Sequence, residues 1–95
     1  MNLDGLVPTT IQEAVRFLDS RLIGDEREVV RSASSMTLFH FSLGLTIRNA
    51  WGLHSESALH AALRQEGFYD ADSMSSHILD LLQQRVRDES ASPDK

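Results

Sequence analysis

The stretch from Met36 to His54 constrains the fold of this chain more than any other. It holds Phe39, Phe41 and the only Trp among the 95 residues, and Arg48 is its only formal charge. A segment this apolar in a short chain belongs in the core, because burying apolar side chains is the main favourable contribution to folding. The polar flanks on either side are then expected to pack around it.

The secondary structure of this stretch has two interpretations. Its apolar residues alternate with polar ones, which is typical of a half-buried strand; they are Phe39, Phe41, Leu43, Leu45 and Ile47. The same residues also form two adjacent stripes at helical spacing. No second segment alternates convincingly, and a lone strand would leave its backbone groups without partners. We therefore predict an all-α fold of four or five short helices around a central apolar helix at about 36–51.

The N-terminal flank predicts a helix that begins after Thr10 and stops at Gly24. Thr10 and Glu13 form a capping-box pattern ahead of apolar residues at helical spacing, which are Ile11, Ala14, Val15, Leu18 and Leu22. The polar residues assigned to the outer face are Gln12, Glu13, Arg16, Asp19 and Arg21. Asp25 is the predicted cap of a second, short helix that ends by Ser35.

The C-terminal flank predicts two more helices. Gly52 is the expected left-handed residue after the central segment, and Gly67 is the expected stop of a helix capped by Ser55 or Ser57. Asp72 or Ser73 is the expected start of the last helix. The predicted organisation is a flexible arm at 1–8, a helical domain at 9–87 and a disordered tail at 88–95.

Composition excludes several function classes. The chain has fourteen acidic and nine basic residues, a formal net charge of −5, and no Cys. Disulfides and thiolate chemistry are therefore excluded. The negative charge argues against nucleic acid and anionic membranes as partners and suits a basic protein. No apolar run is long enough to span a membrane and no signal peptide is recognisable, so we expect a cytoplasmic protein.

The sequence contains no constellation that dictates a reaction. The four His residues are scattered rather than placed three or four apart beside carboxylates, so we predict no metal site and no cofactor. Glu56 and His60 lie four residues apart, but on a helix such a pair is typically a surface contact. We therefore predict that the chain is not an enzyme.

The candidate binding residues each have a structural and a functional interpretation. Trp51 is either a core anchor, whose indole N–H finds a carbonyl, or an interface anchor. Arg48 either pairs with an internal carboxylate such as Asp72 or takes part in binding. The acidic residues are either solvated helix starts or contacts for a basic partner. The full set of candidate partner-binding residues is Asp25, Glu26, Glu28, Arg48, Trp51, His54, Asp70 and Asp72.

The order of motifs resembles that of a small uncharacterised bacterial helical domain family. The chain contains FHF at 39–41, LGL at 43–45, IRN at 47–49 and WGL at 51–53, and it has Tyr69, Asp72 and Met74-Ser75 downstream. The family pattern is similar to F-H-F-G-L-G-x-x-I-R-N-x-W-G-L-W, with a P-T-T helix cap ahead of it. His54 stands where that pattern has its second Trp.

Small, acidic, Cys-free helical chains of this kind are similar to immunity proteins of bacterial toxin–immunity pairs. The resemblance implies an inhibitor that neutralises a cognate toxin enzyme by binding directly over its active site. It also implies a monomer with a basic protein partner. The alternative is a helical domain that self-associates or serves as a subunit of a larger assembly, and a third possibility is a small-ligand pocket lined by Arg48, Trp51 and His54.

Overall fold

A computed structural model describes residues 7–22, 24–33, 43–53 and 57–91. These residues form five helices and no strand. The helices are α1 (Ile11–Arg21), α2 (Gly24–Ser32), α3 (Leu43–Ala50), α4 (Ala58–Gln65) and α5 (Ala71–Ala91). The all-α prediction is confirmed. The helix predicted at 36–51 is present over Leu43–Ala50, and its first residues, 36–42, lie outside the described part.

The last helix, α5, is the element against which the others pack. It contacts α1, α2 and α3, while α4 packs against α1. The α5 residues in the core are Met74, Ile78, Leu79, Leu82 and Val86. These side chains fall within roughly 140° of the helix circumference, so α5 buries one broad apolar face against the other helices.

The predicted core residues of α1 are confirmed, with one correction on its polar side. Ala14, Val15 and Leu18 are buried. Asp19 was predicted on the outer face, but it is only 6% exposed. It lies four residues after Val15, and therefore on the inner stripe of the helix. Its carboxylate is buried because it is paired with two Arg side chains described below.

Trp51 anchors the core just after α3. It is 1% exposed, and its ring meets the Phe17 ring edge-on with centroids 6.0 Å apart. The core-anchor interpretation is therefore confirmed, except that the indole Nε1 has no hydrogen-bond partner among the described residues. Leu45, on the opposite side of α3, is 47% exposed, so α3 is buried mainly on one side.

Two glycines end helices in the left-handed conformation, as predicted. Gly52 has φ 66° and Gly67 has φ 98°. After α4, the Phe68 amide donates to the Leu63 carbonyl at 3.1 Å, which is the pattern of a Schellman stop. A side chain at either position would be strained, because only Gly adopts this conformation without a steric cost.

The caps agree with the sequence patterns at α1 and α4 and differ at α2 and α5. Helix α1 ends at Arg21 rather than at the predicted stop Gly24, which is the first residue of α2, and the predicted cap Asp25 lies inside that helix. Thr10 accepts the amide of Glu13, and Ser57 accepts the amide of His60. For α5, Asp70 caps the helix rather than the predicted Asp72 or Ser73. At the other end α5 extends to Ala91, so the predicted tail boundary at 88 lies inside the helix.

Candidate functional site

An ion pair between a buried Arg and an exposed Asp joins the end of α3 to the start of α5. The Arg48 side chain is 10% exposed, and its Nε lies 3.4 Å from Oδ1 of Asp72. Its Nη1 donates to the buried hydroxyl of Ser75 at 2.9 Å, and that hydroxyl donates to the Asp72 carbonyl at 3.0 Å. The pairing of Arg48 with Asp72 is the structural interpretation made from the sequence, and the structure confirms it.

Asp72 contacts the buried Arg48 side chain through its carboxylate but faces solvent. Its side chain is 70% exposed, so Arg48 fixes the position of a carboxylate that remains available to a partner. Asp70, two residues earlier, accepts the Ser73 amide at 3.0 Å and the Ser73 hydroxyl at 2.8 Å. The Ser73 amide is the main reason that the pKa of Asp70 is lowered from its ordinary value.

An exposed aromatic ring completes this surface. Tyr69 is 67% exposed, and the guanidinium carbon of Arg64 lies 5.7 Å from the centroid of its ring. An Arg at this distance from an aromatic face makes a cation–π contact. Tyr69, Asp70 and Asp72 together are called the Tyr69 surface below. It combines an aromatic ring with two carboxylates whose positions are fixed.

The second acidic group lies at the other end of α5. Asp25, Glu26 and Glu28 are exposed in the first part of α2, and α2 packs on α5 near Gln83. Gln83 is eleven residues beyond Asp72 in the sequence, so the two acidic groups lie roughly 15 Å or more apart along the helix axis. Arg31 pairs with Glu28 through Nε at 3.0 Å, and this hydrogen bond lowers the pKa of Glu28.

The structure thus places the predicted site residues in separate parts of the molecule. Asp70, Asp72 and Arg48 come together, while the α2 acids form a separate group. Trp51 belongs to the core rather than to a surface. His54 lies outside the described residues.

A polar cluster that the sequence analysis missed joins α1, α2 and α5. The Asp19 carboxylate lies 2.6 Å from Nη2 of Arg27 and 2.6 Å from Nε of Arg85. Its own side chain is only 8% exposed, while the two Arg side chains are 35% and 40% exposed. The sequence feature that could have revealed this cluster is the position of Asp19 on the inner stripe of α1.

The carbonyl groups at the end of α2 are also satisfied from α5. Nε2 of Gln83 donates to the carbonyls of Val30 at 3.0 Å and Ala33 at 2.8 Å. Nε of Arg87 donates to the Arg31 carbonyl at 2.9 Å. The last carbonyls of a helix lack partners within the helix, so these two side chains cap α2. Val30 is the only buried residue of α2, and the helix is therefore held largely by polar contacts.

Neither a metal centre nor a membrane-crossing helix is found in the described part of the chain. Over residues 7–22, 24–33, 43–53 and 57–91, no three His, Cys, Asp or Glu side chains are grouped so that they could hold a metal ion. None of the helices within these ranges combines the length and the apolar character that crossing a bilayer requires.

Comparison with known proteins gives a family without a described activity. No curated protein and no solved structure shows a significant match to the chain. One family model, described as a domain of unknown function (DUF6794), matches residues 7–86. This match includes all of α1 to α4, most of α5 and the complete Tyr69 surface, and it shows that the chain belongs to the DUF6794 family.

Proposed function

We propose that this chain is an immunity protein, which neutralises a cognate bacterial toxin enzyme by binding directly over the toxin's active site. The observation that carries the proposal is the Tyr69 surface, where a 67% exposed Tyr lies beside two solvent-facing carboxylates. Tyr is enriched at the centres of protein interfaces, because its ring contributes a large contact area and its hydroxyl a hydrogen bond. The net charge of −5 adds a long-range attraction for a basic partner.

The carboxylates of this surface are arranged before any partner binds. Asp72 is held by the buried Arg48, and Asp70 is held by Ser73. Groups that are already fixed lose less conformational entropy on binding, and this raises affinity. Toxins that act on nucleotides or RNA need Lys and Arg side chains for the phosphates. An inhibitor with fixed carboxylates next to an aromatic ring suits such an active site.

The test is coexpression with the product of the neighbouring gene. Cells that produce the candidate toxin should stop growing, and the wild-type chain should restore growth. Purified proteins should bind at a ratio of one to one by calorimetry. Tyr69→Ala should weaken the affinity by about 30-fold or more, as expected for an interface hot spot of about 2 kcal/mol.

The matched control is Val29→Ala. Val29 is 52% exposed on α2, away from the Tyr69 surface, so its truncation should leave both affinity and growth rescue unchanged. A cell that remains as sensitive to the toxin with the wild-type chain as without it would refute the immunity function. Equal binding by Tyr69→Ala and the wild type would refute the placement of the toxin on this surface.

A second candidate function is a self-associating structural or regulatory domain. Val29 and Leu45 are exposed apolar side chains on two different helices, and such side chains can contribute to an interface between copies. Light scattering across a concentration series separates the two candidates. A mass that stays at 10.6 kDa favours the immunity protein, and a stable oligomer favours self-association.

A further inference from the structure

A groove runs between the start of α1 and the second half of α5, away from the Tyr69 surface. Its volume is about 630 Å³, within the range of sites that bind small ligands or short peptide segments. The residues that line it are Ile11, Gln12, Val15, Arg16, Leu81, Gln84, Arg85 and Asp88. Four of them come from each helix, so the groove follows the line along which α1 and α5 pack.

The floor of the groove is apolar. Val15 belongs to the core, and Ile11 and Leu81 are partly buried residues that pack against the core. Their remaining surface faces the groove rather than another helix, since these three residues are among those that line it. The floor can therefore accept one or two apolar side chains, whose burial would favour binding.

The walls of the groove carry amides and charges. Gln12 on α1 and Gln84 on α5 supply side-chain amides, which can donate to and accept from a peptide backbone. Arg16 on one wall and Arg85 on the other supply guanidinium groups, and Asp88 supplies the only carboxylate among the residues that line the groove. Arg85 is kept near α1 by its contact with Asp19 at 2.6 Å.

The charge of the groove is opposite to that of the chain as a whole. Two guanidinium groups and one carboxylate line it, in a chain whose net charge is −5. The Nε of Arg85 is engaged by the Asp19 carboxylate, so the exposed Arg16 is the guanidinium that offers a planar pair of donors to a ligand carboxylate. We infer that the groove binds an acidic peptide segment of a partner protein, with apolar side chains on the floor and a carboxylate at Arg16.

This site differs from the Tyr69 surface in both place and chemistry. Leu81 is nine residues from Asp72 along α5, which corresponds to about 14 Å. The Tyr69 surface suits a basic partner, whereas the groove suits an acidic one. The inference therefore does not rest on the immunity function, and both sites can be occupied at the same time.

The test is a titration of the ¹⁵N-labelled chain with two short acetylated peptides, followed by NMR. In the first peptide, leucines at helical spacing are interspersed with glutamates, and in the second the glutamates are replaced by lysines. The glutamate peptide should shift the amide signals of residues 11–16 and 81–88 saturably. It should bind about tenfold more tightly than the lysine peptide, a difference of about 1.4 kcal/mol.

A charge reversal on the protein is a second test of the preference of the groove for an acidic peptide. Arg16→Glu should weaken binding of the glutamate peptide about tenfold and strengthen binding of the lysine peptide. The matched control is Arg64→Glu, an equal charge reversal on exposed α4, which should change neither affinity. The wild-type comparison of the two peptides does not depend on the folding of any variant.

Three results would overturn the inference. The first is the absence of saturable shifts with the glutamate peptide up to about 1 mM, which corresponds to a binding free energy weaker than about −4 kcal/mol. The second is equal or tighter binding of the lysine peptide to the wild type. The third is saturable binding of dodecanoate at these residues without binding of the glutamate peptide, which would assign the groove to a fatty acid instead.

Discussion

Replacing Asp19 by Asn tests the polar cluster that joins three helices. The side-chain shape is retained, but the negative charge between Arg27 and Arg85 is removed. Nε of Arg85 donates to the carboxylate at 2.6 Å. Arg27 forms an ion pair with the carboxylate at 2.6 Å, while its Nη2 donates to the Asp19 backbone carbonyl at 2.9 Å. The change should lower the free energy of unfolding, because one charge-assisted hydrogen bond from Arg85 and one ion pair with Arg27 lose the negative charge that they share.

The size of the effect follows from the exposure of the three side chains. A hydrogen bond to a charged group contributes about 1.5–3 kcal/mol when it is buried. Here the carboxylate is 8% exposed, but the Arg side chains are 35% and 40% exposed, so both can regain water. Solvent screening therefore reduces the sum to about 2 kcal/mol. For a chain of this size, this corresponds to a fall in Tm of roughly 8–16 °C.

The measurement is urea unfolding followed by Trp51 fluorescence and circular dichroism. Asp80→Asn is the matched control, since Asp80 is exposed on α5 and its replacement should change the free energy of unfolding by less than about 0.5 kcal/mol. A double-mutant cycle with Arg85→Gln should give a coupling of about 1 kcal/mol. A loss below about 0.5 kcal/mol for Asp19→Asn, or strictly additive effects in the cycle, would refute the proposed stabilising role of the cluster.

Four further predictions concern helix ends. Gly67→Ala should lower the Tm by about 4–8 °C, corresponding to about 1 kcal/mol, because Gly67 has φ 98°. By contrast, Gly24→Ala should raise the free energy of unfolding by about 0.4–1 kcal/mol, because the added Cβ meets open space. Thermal melts equal to that of the wild type would contradict these two predictions. The lowered pKa of Asp70 contributes stability above its unfolded value near 4, and this is lost as the pH falls through the folded value. Asp70→Asn should therefore flatten the stability profile below about pH 4, and an unchanged acid titration would count against the cap. Gln83→Leu should speed amide hydrogen exchange in α2 by about 10-fold, for a loss of about 1–2 kcal/mol from two hydrogen bonds, and unchanged exchange would show that the helix does not depend on this cap.

Much of the fold could be predicted from residues that act locally. The Thr10 and Ser57 caps, the Gly52 and Gly67 stops and the apolar face of α1 depend on neighbours within a few positions. A sequence displays such neighbours directly. The alternation at 39–47 was resolved in favour of a helix by the absence of a second strand, and the helical part is observed over Leu43–Ala50.

The contacts that the sequence did not reveal are those between distant positions. Asp19 was placed outside because its charge was considered without its partners, and Arg85 lies 66 residues away. Gln83 was not recognised as a cap, because its targets are the carbonyls of Val30 and Ala33 on another helix. In contrast, the pairing of Arg48 with Asp72 was anticipated, because an Arg amid apolar residues requires a partner.

In the candidate site, too, local features could be predicted from the sequence and the contacts between distant residues could not. The exposed acids of α2 and the start of α5 were identified from the sequence, but their separation along α5 was not. Tyr69 was noted only among the motif residues of the family resemblance, since the sequence does not show whether an aromatic ring will be exposed. The groove between α1 and α5 was also missed. It depends on how two helices pack together whose groove-lining residues, Arg16 and Leu81 at the nearest, are 65 positions apart in the sequence.

The position of α5 in the chain affects how the protein folds during synthesis. The ribosome produces α1, α2 and α3 before the residues of α5 that cover them. At about 5–20 residues per second, roughly 3–13 s pass between the synthesis of Arg21 and that of Val86. Over this time the apolar faces of the earlier helices lack their main packing partner. Until α5 is synthesised, the nascent chain therefore exposes apolar side chains that the folded protein buries, and such surface favours aggregation.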